Sequence, residues 1–233
     1  MSIAKLATTL VLGLAIHVST TPPNPSIPTN KRRLEEGLVD VHTSTFVLKA
    51  TYWAHALIET VIIIGAHWCP QSDSYKQLLQ YLLPHGGQNS ISLSPYATAA
   101  AVLGVLAGIG RHLCYRSLGR HFTFHVTVLK GHKLITTGPY GLVRHPAYSS
   151  GLSLFPAMFG YCMAPGSWLR ESRMYADMKA WVVLFPILFA LASLFIKSCL
   201  RLNAEDEMLR KEFGKEWEMW ARRVRYKLIP GVY

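Results

Sequence analysis

GPYGLVRHPAYSSG, residues 138–151, is the stretch from which the interpretation of this chain starts. It opens with a glycine–proline turn, and Pro146 stops any helix that would run through it. Within nine residues it presents four side chains that suit ligand contacts: Tyr140, Arg144, His145 and Tyr148. An apolar segment, residues 152–163, follows at once, so these groups are expected at the mouth of a membrane element. The stretch predicts either a small-molecule site or a basic turn that faces lipid headgroups.

Composition places the chain among membrane proteins. Half of its 233 residues are hydrophobic and only 16% are charged, whereas about a quarter of the residues are charged in an average soluble domain. The mean hydropathy is positive, at +0.21. Because several apolar runs approach the length of a bilayer crossing, we expect an all-α integral membrane protein with about five transmembrane helices. The expected segments are residues 3–20, 46–68, 95–114, 151–164 and 180–200.

The positive charge is concentrated in the second half of the chain. Of the 24 lysines and arginines, six lie in residues 1–110 and 18 lie in residues 111–233, against five and eight acidic residues respectively. In a membrane protein this bias predicts that the C-terminal part faces the cytosol, and an odd number of spans then puts the N-terminus on the opposite side. Nucleic acid is not an expected partner, because the positive residues flank apolar spans and do not line one soluble face.

Neither cysteines nor histidines form a metal-binding pattern. The four cysteines, Cys69, Cys114, Cys162 and Cys199, are far apart and make no CxxC pair, which argues against a disulfide or zinc framework. His121 and His125 have helical spacing, but no third ligand is evident near them, and zinc sites need at least three protein ligands. The sequence predicts no metal.

The first two apolar segments raise separate questions. Ile3–Val18 is typical of either a cleaved signal peptide or a retained first helix, and we favour the retained helix because a protein with several spans seldom needs a cleaved signal. In the second segment, His55 and Glu59 are four residues apart and share one helix face. Charges inside a span are costly unless they face the protein interior, so a packed polar pair between helices is favoured over a catalytic role.

Residues 203–224 have a different pattern. Leu209, Phe213, Trp217, Trp220 and Val224 recur at helical spacing and form one apolar face, which predicts an amphipathic helix on the cytosolic side. Asn203 is expected to cap this helix, with Glu205 and Asp206 favoured in its first turn by the helix dipole.

Two blocks of the sequence carry a family resemblance. HKLITTGPYGLVRHPAY, residues 132–148, and RLNAEDEMLRKEFGKEWEMWARRV, residues 201–224, resemble the two motifs of the isoprenylcysteine carboxyl methyltransferases and of their phospholipid N-methyltransferase relatives. The resemblance implies an integral membrane enzyme that uses S-adenosyl-L-methionine. It divides the chain into N-terminal transmembrane helices and loops, residues 1–120, and a methyltransferase catalytic core, residues 121–233, with the cofactor motif, a helical hairpin and the amphipathic helix.

The resemblance also nominates site residues. The expected cofactor-binding residues are His132, Leu134, Gly138, Tyr140, His145, Tyr148 and Glu205. S-adenosylmethionine carries a sulfonium cation and an amino-acid zwitterion, so its site needs carboxylate or aromatic faces near the positive parts and donors for its carboxylate. Glu205 supplies a carboxylate acceptor, and the two tyrosines supply aromatic faces and hydroxyls.

The expected reaction is methylation of the C-terminal carboxylate of an S-prenylated cysteine in a protein or peptide, at the cytosolic face of the endoplasmic reticulum membrane. A carboxylate acceptor is already ionised, so the enzyme needs alignment more than a strong base. The expected catalytic residues are Arg144 and Arg201, which suit a two-point clamp on a carboxylate, together with Glu205.

Two alternatives stay open. Phospholipid N-methylation uses a neutral amine as nucleophile, for which a proton acceptor matters more than an arginine clamp. Membrane sterol reductases, which bind a nicotinamide cofactor, have a similar RHPxY block and an ending similar to RYKLIPGVY, residues 225–233. They are normally longer than this chain and have more spans.

Overall fold

The computed structural model describes residues 3–25, 41–84, 90–124, 131 and 133–232. All regular secondary structure in this part of the chain is helical, which confirms the all-α prediction. The α-helices are α1 (Ile3–Thr20), α2 (Val41–Trp68), α3 (Asp73–Leu82), α4 (Pro95–Leu118), α5 (Pro146–Cys162), α6 (Trp168–Glu171), α7 (Trp181–Phe213) and α8 (Lys215–Arg223). Short 3-10 helices, among them Gly119–His121 and Gly138–Gly141, lie between them.

Four helices of the described chain are long and apolar enough to cross a membrane: α1, α2, α4 with its 3-10 extension, and α7 with the turn before it. The expected segment at residues 151–164 is also helical, but it is the 17-residue helix α5, which is not among these four. At about 1.5 Å per residue α5 is roughly 25 Å long, slightly less than the ~30 Å hydrocarbon core. Four of the five expected segments are therefore long and apolar enough to cross a membrane, and the fifth, α5, is a shorter helix that packs along α4.

Small residues let the helices approach closely. Helix α4 packs along both α1 and α5, and α2 packs against α1 and α7. A Cβ atom added at Gly108 of α4 would lie 2.8 Å from the Cβ of Ala15, and one at Gly104 would overlap the side chain of Leu12. Because helices in lipid associate through such close van der Waals contact, these glycines fix the α1–α4 pair.

A fully buried charged cluster joins α1, α2 and the segment after α5. The Lys5 ammonium lies 3.3 Å from the Glu59 carboxylate, and both side chains are completely buried. Glu59 also accepts hydrogen bonds from the Thr9 hydroxyl and from the Trp168 backbone N–H, each at 3.0 Å. The His55 ring nitrogen Nε2 lies 3.2 Å from the same carboxylate. The predicted His55–Glu59 pair is present, and Lys5 supplies the counter-ion of the Glu59 carboxylate.

The C-terminal part differs from the expected separate amphipathic helix. Helix α7 continues without a break from the apolar segment through Asn203 to Phe213, so Asn203 lies inside the helix and does not cap it. Helix α7 ends before Gly214, whose φ of +50° is a conformation that glycine adopts readily. Helix α8 then carries Trp217 and Trp220, which are both buried. The amphipathic pattern is thus shared by the end of α7 and the short helix α8.

We expect Lys5→Met to lower the stability of the protein in detergent by about 3–5 kcal/mol, because it leaves the buried Glu59 carboxylate without its cation. Lys49→Met is the matched control, since the Lys49 ammonium donates to the exposed Thr21 hydroxyl and lies outside the cluster. The midpoint of thermal unfolding is the measurement. Equal shifts for the two variants would show that the Lys5–Glu59 pair does not stabilise the helix array.

Candidate functional site

A cavity lies where α1 and α4 end and where α2 and α5 begin. Seven of the predicted site residues line it: Leu134, Tyr140, Arg144, His145, Tyr148, Arg201 and Glu205. Gly138 is beside the cavity in the 3-10 turn but does not line it, and His132 lies outside the described residues. The lining also includes Ser19 of α1 and Arg111 of α4, so the cavity draws on both halves of the chain.

The turn at Gly138 positions the aromatic part of the site. Gly138 has φ of +61°, and a Cβ there would lie 3.2 Å from the Ser117 hydroxyl, so a larger residue would be strained. The turn buries Tyr140, whose carbonyl accepts a hydrogen bond from the Trp220 indole at 3.1 Å. Burial raises the pKa of the Tyr140 phenol well above its ordinary value, so the hydroxyl stays protonated.

Tyr148 and Glu205 form the polar centre of the cavity. The Tyr148 hydroxyl donates to Oε2 of Glu205 at 2.8 Å. Burial, and then the Glu205 carboxylate, raise the pKa of Tyr148 well above its ordinary value, so this phenol acts as a donor. The other carboxylate oxygen, Oε1, lies 3.8 Å from Nδ1 of His145. The tyrosine therefore holds the Glu205 carboxylate in place at the cavity wall.

The carboxylate of Asp206, the residue next to Glu205, contacts side chains of the RHPxY block. Its Oδ1 lies 2.9 Å from Nε2 of His145, while Oδ2 lies 3.3 Å from the Arg144 guanidinium and 3.5 Å from the Lys227 ammonium. Arg144 also lies over the Trp217 ring, 5.6 Å from its centroid. Arg144, expected as an acceptor clamp, is thus already paired within the protein.

The C-terminal segment is bonded to the backbone of the same motif. The N–H groups of Arg144 and His145 donate to the carbonyls of Tyr226 and Lys227 at 2.9 and 2.8 Å. The Ser149 hydroxyl donates to the Leu228 carbonyl at 2.6 Å. No role was predicted for this segment. Its only signal was that RYKLIPGVY resembles the ending of a related family.

The other two arginines of the cavity come from different helices. Arg201 of α7, a predicted catalytic residue, lines the cavity, and its guanidinium donates to the Phe124 carbonyl at 3.1 Å. Arg111 of α4, which lies near the end of a predicted span and was not among the predicted site residues, lines the same cavity. The sequence does not distinguish a positive residue that only ends a span from one that also lines a cavity.

We expect Asp206→Asn to destabilise the protein by about 1.5–3 kcal/mol, the usual loss for a hydrogen bond to a charged group. Asparagine keeps an acceptor for His145 but removes the charge that faces Arg144 and Lys227. Glu207→Gln is the control one residue away, because Glu207 pairs with Lys211 on an exposed surface. Thermal unfolding should show a lower midpoint for Asp206→Asn and no change for Glu207→Gln. If the two variants unfold alike, Asp206 does not hold the motif.

Several reductases are similar to this chain. The Delta(14)-sterol reductase of Neurospora crassa is 30% identical over 129 residues, which are 47% of this chain and 26% of the relative. The probable 7-dehydrocholesterol reductase of Acanthamoeba polyphaga mimivirus is 30% identical over 101 residues, 43% of this chain and 19% of the relative. The 7-dehydrocholesterol reductase of Arabidopsis thaliana has the same identity over 105 residues and the same coverage. The match thus spans about a quarter or less of these relatives.

Part of the chain also matches a protein family. Residues 100–164 match the isoprenylcysteine carboxyl methyltransferase (ICMT) family. This segment contains most of α4, the turn at Gly138, the RHPxY block and α5, and it ends before the second predicted motif. This segment of the chain is thus similar to the isoprenylcysteine carboxyl methyltransferase family, which confirms the resemblance predicted from its first motif.

Proposed function

We propose that this protein is an S-adenosyl-L-methionine-dependent methyltransferase that methylates the C-terminal carboxylate of S-prenylated cysteine. The observation that carries the proposal is that one cavity combines a polar wall with an apolar floor between membrane helices. The polar wall holds Glu205 and the arginines, and the floor is formed by Leu48, Leu154 and Leu194. A lipid-modified carboxylate needs both surfaces.

The residues present suit the proposed cofactor. The Glu205 carboxylate, oriented by Tyr148, offers an acceptor for an amine or a ribose hydroxyl. Aromatic rings line the cavity, among them those of Tyr140, Phe122 and Phe124, and such faces attract a sulfonium cation. Arginine guanidinium groups supply donors for a carboxylate.

The acceptor chemistry fits a site without a strong base. When bound, the cofactor supplies an electrophilic methyl group: an acceptor oxygen bonds to the methyl carbon, the sulfur–methyl bond breaks with its electron pair on sulfur, and no proton is exchanged. The protein then has to align the acceptor and exclude water. The buried phenols of Tyr140 and Tyr148 stay protonated, and the arginines favour an anionic acceptor.

Phospholipid N-methylation is the alternative within the same superfamily. An amine must lose a proton when it is methylated, and its protonated form is repelled by the positive groups that line this cavity: Arg111, Arg144 and Arg201. Only Glu205 supplies a carboxylate in the described lining. We therefore rank this acceptor below a prenylated cysteine.

A sterol reductase-like activity is the second candidate from another class. The observation that favours it is the 30% identity to sterol reductases over nearly half of this chain. It would require a nicotinamide cofactor and a sterol in the cavity. Since the matched region covers only about a quarter of the reductase, it supports a shared membrane architecture more directly than a shared reaction.

Localisation follows from the same proposal. The proposed location is the endoplasmic reticulum membrane with the site on its cytosolic face, and the excess of lysine and arginine after residue 110 is typical of cytosolic segments. The partners would be a prenylated protein or peptide and the surrounding membrane lipids.

An assay with two methyl acceptors tests the reaction. Membranes that contain the protein are incubated with methyl-labelled S-adenosylmethionine and, in parallel, a prenylcysteine or phosphatidylethanolamine. We expect label on the prenylcysteine as an ester that alkali releases. Label on the lipid amine alone would move the function to N-methylation. Sterol reduction driven by a nicotinamide cofactor, without methyl transfer, would move it to the reductase class.

We expect Glu205→Gln to weaken binding of S-adenosylhomocysteine roughly 10- to 150-fold, which corresponds to the loss of about 1.5–3 kcal/mol from one charge-assisted contact. The control is Glu207→Gln, which removes a carboxylate from the exposed side of the same helix. Calorimetric titration measures binding, and thermal unfolding checks the fold. Normal binding by Glu205→Gln would mean that Glu205 has only a structural role.

A further inference from the structure

Arg111 lines the cavity, and no described acidic residue pairs with it. Among the described residues, no acidic side chain lies within 4.0 Å of its nitrogen atoms. Its Nε donates to the Tyr115 hydroxyl at 3.2 Å, and its Nη1 donates to the Ala147 carbonyl at 2.6 Å. Within the described chain Nη2 makes no hydrogen bond. The side chain is half-buried and lines the cavity.

Aromatic rings surround this guanidinium. Its central carbon lies 5.4, 5.1 and 5.3 Å from the ring centroids of Tyr115, Phe122 and Phe124. The Tyr115 hydroxyl in turn donates to the Ser19 carbonyl at 2.6 Å, which fixes the ring against the end of α1. The aromatic faces partly replace the water that the cation has lost. They leave its net positive charge uncompensated.

The other two arginines of the cavity are engaged differently. Arg144 is paired with Asp206 and lies over Trp217. Arg201 donates to the Phe124 carbonyl, on the residue whose ring packs on Arg111. An arginine is charged at any physiological pH, and a partly buried cation without a counter-ion is costly. The protein holds Arg111 in a fixed orientation at this cost, which is expected where the counter-ion comes from a ligand.

We infer that Arg111 binds a carboxylate of a ligand in the cavity, a role that the sequence gave to Arg144 and Arg201. The inference rests on the proposed function, in which two carboxylates enter the cavity: that of the cofactor's amino-acid part and that of the acceptor. Two nitrogens of the guanidinium are held by the protein, and Nη2 with the remaining Nη1 hydrogen is left to meet two carboxylate oxygens. A planar guanidinium suits such two-point contact, whereas the ammonium of lysine does not reproduce it.

The test measures ligand binding directly. Calorimetric titration compares S-adenosylhomocysteine with its decarboxylated analogue, and an N-acetyl-S-prenylcysteine acid with the corresponding amide. Each ligand is titrated into the unmodified protein, Arg111→Lys and Arg116→Lys. Arg116 is the control because it lies on the same helix but is exposed and does not line the cavity. Thermal unfolding of each variant checks the fold.

We expect Arg111→Lys to weaken binding of one carboxylate ligand roughly 10- to 100-fold and to leave its carboxylate-free analogue within about threefold, as the loss of a two-point contact predicts. A selective loss for S-adenosylhomocysteine assigns Arg111 to the cofactor, and a selective loss for the prenylcysteine acid assigns it to the acceptor. Arg116→Lys should bind all four ligands normally.

Two results would overturn the inference alone. In one, Arg111→Lys binds both carboxylate ligands as tightly as the unmodified protein does. In the other, it loses affinity equally for ligands with and without the carboxylate, which indicates a structural role. If the unmodified protein binds neither S-adenosylhomocysteine nor the prenylcysteine, the proposed function fails and the inference fails with it.

Discussion

The Asp206 carboxylate is the contact on which the arrangement of the site depends. It joins three segments that are far apart in the sequence: the RHP turn through Arg144 and His145, helix α7, and the C-terminal segment through Lys227. A carboxylate that is largely removed from water is stable only with partners of this kind. Because Glu205 is the next residue on the same helix, fixing Asp206 also fixes the position of the Glu205 carboxylate at the cavity wall.

The continuous helix α7 connects the polar part of the site to the apolar part of the cavity between the membrane helices. Its apolar part supplies Leu194 to the cavity floor, and its polar part supplies Arg201 and Glu205 to the wall. A separate amphipathic helix with a cap at Asn203 would have placed a flexible joint between the two. The joint lies instead at Gly214, beyond the site, where α8 turns back and packs Trp217 and Trp220 on the motif. One rigid element therefore sets the distance between the lipid-facing and polar parts of the cavity.

Much of the fold followed from local properties of the sequence. Apolar runs and helical spacing predicted the spanning helices and the apolar face of the C-terminal region, since both depend on neighbours three or four residues apart. Gly214 indicated a bend or a close contact but not the end of a helix, because the amphipathic pattern continues through it. Ion pairs between residues that are distant in the sequence could not be predicted either. The sequence around Lys5 does not indicate Glu59 as its partner, and the sequence around Asp206 does not indicate Lys227. Residues of the first motif line the cavity, but the motif did not indicate which cations are paired with acidic residues of the protein.

This difference decides how the arginines of the site are understood. The sequence ranks a cation by its position in a motif or at a helix end, and by that criterion Arg144 and Arg201 precede Arg111. The structure shows in addition which cations have an acidic partner. The Arg144 guanidinium is paired with Asp206, whereas that of Arg111 is held by a carbonyl and a phenol and is therefore more available to a ligand. The aromatic rings around Arg111 orient the cation without neutralising it. The Arg111 charge thus stays available to an anion from outside the protein, so Arg111 is a stronger candidate for ligand binding than Arg144.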